Sequence, residues 1–122
     1  MANIGTYDVQ APRREMKILT GQFTCNGSSA VASSTIKGDI SSVTRDGAGL
    51  YTVTLKHSWK QVAGIFVSMK GTGDTWARVK TEDVDGGSLV IELWDVSAGA
   101  VTDSTADVIY ICVLALNTGV GA

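Results

Sequence analysis

His57 is the only histidine in the sequence, and Cys25 and Cys112 are the only thiols. Metal sites built on several histidines are thereby excluded. A site of two cysteines and one histidine would need three distant residues to converge. The cysteines form no CxxC pair, so two reduced, buried thiols are expected; a disulfide stays open, because distance in sequence does not set distance in space. Continuous apolar runs are short, and none approaches the ~18 residues of a membrane span. The opening "MANIGTYDVQAPRREM" lacks an apolar core of signal-peptide length. Synthesis in the cytosol is therefore the expectation, and Asn26-Gly27-Ser28, a glycosylation sequon by pattern, reads as a turn. Basic residues are missing altogether after Lys80, while Glu82, Asp83, Asp85, Glu92, Asp95, Asp103 and Asp107 follow it. Two explanations fit. An acidic face could meet a basic one on another subunit or protein, or strands from both halves could interleave and mix the charges. A formal net charge of −2 is the wrong balance for a nucleic-acid footprint, and that class is excluded.

At 122 residues and 12.7 kDa the chain suits one domain. A folded chain of this size buries roughly two-thirds of its extended-state surface, enough for a core without metal or disulfide staples. With 44% hydrophobic and 18% charged residues, it is not a disordered composition. Residues 1–15 are polar and irregular and read as an extended arm. Residues 16–122 read as a single β domain with a short C-terminal tail. "MKILTGQFTC" is a strand with a bulge expected at Gly21, and "NGSSAVASSTIKG" a loop. In "SVTRDGAGLYTVTL" two strands flank a glycine turn; Tyr51, Val53 and Leu55 share one face, Thr52 and Thr54 the other. "KHSWK" is a polar break with room for one helical turn. "QVAGIFVSM", "TWARV" and "SLVIELW" are further strands, the last with Leu89, Ile91 and Leu93 on one face and Glu92 on a partly wet one. No helical period holds over three turns. The spacing predicts an all-β fold, an antiparallel β-sandwich or a jelly-roll-like, partly closed barrel.

"VIYICVLAL" (residues 108–116) is apolar on both faces, and "AGIFV" (63–67) breaks alternation in the same way. A sandwich strand should turn one face to the core and one to water. The second face must be covered by the chain's own arm and loops or by a neighbouring subunit. Ile109, Ile111, Val113 and Phe66 are the candidate subunit-interface residues.

Chemistry is sparse. His57 sits in "LKHSWKQ" with no serine in a nucleophile-elbow context, so a surface turn fits it better than a triad. "DVDGG" (83–87) spaces two carboxylates before glycine but lacks the closing glutamate and flanking helices of a calcium loop. "GTGDT" (71–75) lacks the ending of a phosphate loop. Trp59, Trp76 and Trp94, with Tyr7, Tyr51 and Tyr110, could form a sugar platform or pack in core and interface. No cofactor, metal site or catalytic group is predicted, and the chain reads as non-enzymatic.

The stretch "ISSVTRDGAGLYTVTLKHSWKQVAGIFVSM" resembles a family of small structural proteins of tailed bacteriophages. The match lies in Val43-Thr44-Arg45, Gly47 and Gly49-Leu50-Tyr51-Thr52-Val53-Thr54-Leu55, with Trp59 where the family often has tyrosine. The ending "DVIYICVLALNTG" is similar to the family's closing strand; the arm has no counterpart. The resemblance implies a virion protein on the outer capsid surface, of the head decoration (cement) type. It would be homotrimeric, would grip the major capsid protein and would reinforce the shell. The arm, with Tyr7, Arg13 and Arg14 as candidate capsid contacts, would order along the lattice. A tail- or fibre-associated module that binds a receptor or carbohydrate is the alternative.

Overall fold

The alternation in "LYTVTL" becomes β4 (Leu50–Leu55), in which Tyr51, Val53 and Leu55 are buried and Thr52 and Thr54 face outward. β3 (Ile40–Gly47) pairs antiparallel with it. Of the two glycines in the connecting turn, only Gly49 takes a positive φ, +68°. The hairpin belongs to an antiparallel β-sandwich, seen in a computed structural model that describes residues 16–71 and 75–116. The arm and the C-terminal tail lie outside these residues.

The first sheet has the order β2-β1-β9-β5. Here β1 is Met16–Thr24, β2 Lys37–Gly38, β5 Gln61–Lys70 and β9 Val108–Leu116. The second has the order β3-β4-β7-β6, with β6 at Thr75–Asp83 and β7 at Ser88–Asp95. A two-residue β8, Ala100–Val101, pairs with β7 inside what reads in sequence as one long loop. Inward side chains of both sheets form one core, in which Phe23, Ile109 and Val113 meet Tyr51, Val53, Leu89, Ile91 and Leu93. The Phe23 and Tyr51 rings join the two layers, with centroids 5.4 Å apart and planes tilted by 47°. Such a pair is worth roughly 0.5–1.5 kcal/mol beyond the area it buries.

Two local expectations are corrected. β1 pairs with β9 without a bulge, from Met16 opposite Leu116 to Thr24 opposite Val108. Gly21 is instead a point of close approach: a methyl group there would run into the Ile40 side chain. Opposite it, Gly38 has φ +87°, and a Cβ on Gly38 would meet the β1 backbone. The chain crosses from one sheet to the other at Asp39, whose N–H donates to the Thr20 carbonyl (2.8 Å) and whose carboxylate accepts from the Thr20 N–H (3.0 Å). "KHSWK" forms no helical turn; the Trp59 N–H donates to the Val84 carbonyl at 2.8 Å, and its side chain packs against the core. The face that Glu92 shares with Ser88, Val90 and Trp94 is partly wet as expected, while Glu92 itself is 6% exposed, held under Arg78.

Candidate functional site

β9 turns one flank into the sandwich and the other to the outer face of the first sheet. Ile109, Ile111 and Val113 lie on the inner flank, and all three are buried in the core. Their assignment to a subunit interface is therefore corrected: β1 places Phe23 opposite Ile109 and Leu19 opposite Val113, and these residues pack inward together. The outer flank carries Val108, Tyr110, Cys112 and Leu114. Phe66 is on this outer face, opposite Cys112 across the β5–β9 ladder, and is 62% exposed; Tyr110 is 37% exposed. Thr20 and Gln22 complete the two rows on the β1 side. Of these, Thr20, Gln22, Phe66, Tyr110 and Cys112 line an open depression of about 390 Å³, together with Lys37 and Gly38 of β2. Among the described residues that line it, the ionisable groups are the Cys112 thiol, the Tyr110 phenol and the Lys37 ammonium. The arrangement can take up an apolar surface. Tyr7, Arg13 and Arg14 lie outside the described residues.

The second sheet presents a different outer face. Trp76 and Trp94 are direct cross-strand neighbours, and Trp76 is 46% exposed. Further along the same two strands, Arg78 donates from Nε to Glu92 Oε1 at 2.9 Å, and its Nη2 lies 2.7 Å from the same oxygen in an ion pair. Lys80 Nζ reaches Glu92 Oε2 at 4.0 Å. Thr44 and Thr52 pair across β3 and β4 and extend this face with hydroxyls. Of the three tryptophans, two come together and Trp59 lies apart, against the core. The buried Glu92 is a feature that alternation alone misses, because period two places it outside, where Arg78 and Lys80 of the neighbouring strand reach its carboxylate.

The hairpin residues that carry the family resemblance serve the fold. Arg45 pairs with Asp103, Gly49 donates its N–H to the same carboxylate at 3.0 Å, and Tyr51 fills the core. Arg45 and Asp103 come from the two halves of the sequence, and Arg78 and Glu92 from either side of Lys80, so charges segregated along the chain meet in space. Beside Tyr51, burial pushes the Cys25 thiol up to about 11, with Asp107 and Asp103 adding to the effect and Tyr51 opposing it. Burial likewise raises the Tyr51 phenol, whose hydroxyl makes no contact of hydrogen-bond geometry among the described residues. Both cysteines are free thiols.

His57 is exposed at a turn. The carboxylates of the "DVDGG" turn and its approach accept local backbone N–H groups, Asp83 from Gly86 (3.1 Å) and Glu82 from Val84 (3.1 Å). Among the described residues, no group of three or more His, Cys, Asp or Glu side chains is arranged to hold a metal ion. Nor is any helix among them long and apolar enough to cross a membrane. No protein-family model, curated protein or solved structure matches the chain.

Proposed function

We propose that this chain is a bacteriophage head decoration protein that binds the assembled capsid lattice and stabilises it. The observation that carries the reading is the apolar outer flank of β9 with Phe66 beside it, a surface suited to contact with another protein. The resemblance around Arg45 to Leu55 supplies the class of partner, the major capsid protein, and the place, the outer surface of the virion. The apolar depression supplies contact area, and the arm, through Tyr7, Arg13 and Arg14, supplies further contacts along the lattice. No covalent step enters. A protein that binds only the assembled shell stabilises it by mass action over its separated parts, and weak contacts repeated over many sites add up through avidity.

The test is co-sedimentation of purified protein with emptied, expanded phage heads. Saturable binding is expected, with weaker attachment of a chain lacking residues 1–15 that keeps its β-sheet circular dichroism. Absence of binding to heads removes the reading. A second reading rests on the Trp76–Trp94 pair, which offers a stacking platform beside the Arg78–Glu92 ion pair and suits a carbohydrate. Retention on a saccharide array, lost on Trp76→Ala and without affinity for heads, would favour it.

A further inference from the structure

Two features meet at the end of the sandwich where β1 begins. Met16 and Gln61 flank Leu116 there, one on each side of β9. Beside Gln61 and Val62 a small cleft is lined by Glu82, Asp83 and Asp85, with Lys60 the one cation among its lining residues. All three carboxylates are exposed, and none is in an ion pair among the described residues. From the same end an apolar lane runs along the outer face of the first sheet. It passes from Leu114 through Cys112 to Tyr110 on β9, with Ile18 on one side and Gly64 and Phe66 on the other. Gly64 leaves a notch in this lane: a Cβ there would come no closer than 3.7 Å to the Phe66 ring and 3.9 Å to Leu114 Cδ1.

The sequence before Met16 matches both features. Thr6-Tyr7-Asp8-Val9-Gln10-Ala11 alternates polar and apolar residues, so an extended chain turns Tyr7, Val9 and Ala11 to one side. Arg13 and Arg14 follow, close to Met16. We infer that residues 1–15 close over the first sheet of their own copy: Arg13 and Arg14 pair with the carboxylates of the 82–85 cleft, and Tyr7, Val9 and Ala11 lie on the lane between Leu114 and Phe66. The reach fits. Met16 and Gln61 are two strand spacings apart, about 10 Å, and the chain from Met16 back to Arg13 spans about 10 Å when extended. Pro12 suits the change of direction from across the strands to along them. The lane is about 20 Å long from the level of Leu116 to that of Tyr110, and residues 1–12 span up to about 40 Å. Exposed arginine–carboxylate pairs contribute little singly, so cover for the apolar lane is the larger gain and the arginines set the direction of approach. Laid on a face rather than added to an edge, the segment keeps its N–H and C=O groups open to water along its flanks. The arrangement concerns the free chain and does not rest on the capsid reading; on a head the arm would exchange these contacts for those of the lattice.

Nuclear Overhauser contacts in the full chain test this, together with the rate at which maleimide labels Cys112. Contacts are expected from the Tyr7 ring and the Val9 methyls to Leu114 and Phe66. Arg13→Glu combined with Arg14→Glu, or about 1 M salt on the parent, should loosen the anchor and let Cys112 label roughly threefold faster. Arg13→Lys combined with Arg14→Lys should keep the parent rate. If the glutamate variant loses its β-sheet circular dichroism, Tyr7→Ser takes its place with the same expectation of faster labelling. Absence of the contacts, contacts that arise only between differently labelled copies, or a Cys112 rate unmoved in the folded variant would each overturn the inference. Heads that bind a chain in which the contacts are missing would leave the decoration reading standing and remove this one alone.

Discussion

Arg45 and Asp103, 58 residues apart in the chain, meet as a bidentate pair: Nε donates to Oδ1 at 3.0 Å and Nη2 to Oδ2 at 2.7 Å. Because Oδ1 also accepts the Gly49 N–H, one carboxylate ties the β3–β4 turn to the loop before β9. Hydrogen bonding to Arg45 holds the Asp103 carboxyl below the usual value, helped by Gly49 and opposed by burial. A carboxylate depressed in the folded state adds stability above its unfolded value, near 3.9, and loses it as pH falls through the folded one. Asp103→Asn should therefore lower the urea midpoint at neutral pH, and its gap from the parent should close below about pH 4. Urea titrations at several pH values check this. A gap that ignores pH would mean that the charge is not what holds the loop.

Gly49 is expected to resist replacement. Its φ is left-handed, and a Cβ there would sit 2.6 Å from the Thr102 carbonyl oxygen. Gly49→Ala should cost more than about 1 kcal/mol in chemical denaturation. A neutral result would show that the turn relaxes away from the 102–107 loop.

Tyr51→Phe should go the other way. The ring stays against Phe23, and the change removes a buried hydroxyl without a hydrogen-bond partner among the described residues. Leaving such a group unsatisfied costs roughly 1–3 kcal/mol, so the variant should be neutral or more stable by about 1 kcal/mol. A clear loss of stability would identify the Cys25 thiol as a genuine partner.

The two thiols should separate by reactivity. Cys25 is buried and its thiol is pushed up to about 11, leaving roughly a thousandth as thiolate at pH 8. Cys112 lines the open depression. Intact-mass spectrometry after maleimide treatment should count one label on the native chain and two in denaturant. Bound heads that block the Cys112 label would map the depression to the contact.

Much of the sandwich was legible because its signal is local. Strict alternation in "LYTVTL" and "SLVIELW" fixed which side of β4 and β7 packs, apart from Glu92. The residues at fault were those whose role depends on a neighbour in space. Gly21 reads as a bulge until Ile40 and Gly38 are seen pressed against it. Glu92 shares a partly wet face, and its own burial is hidden until Arg78 lies over it. The doubly apolar β9 announced that both flanks needed cover, but periodicity is blind to which flank the core takes. Ile109, Ile111 and Val113 were therefore assigned outward, when Phe23 and Leu19 draw them in. Phe66 was found by its break in alternation, the one candidate of that set standing at the surface.

Met16 and Leu116 face each other across the β1–β9 ladder, with Gln61 next to Leu116 on the far side. Residues 16 and 116 thus lie side by side at one end of the β1–β9 ladder. A short linker could join them there and new termini be opened in the exposed Val96–Gly99 turn, a circular permutation that leaves every strand pairing in place. Cargo joined at residue 16 or residue 116 would crowd that same pole and leave the Arg45–Asp103 loops at liberty.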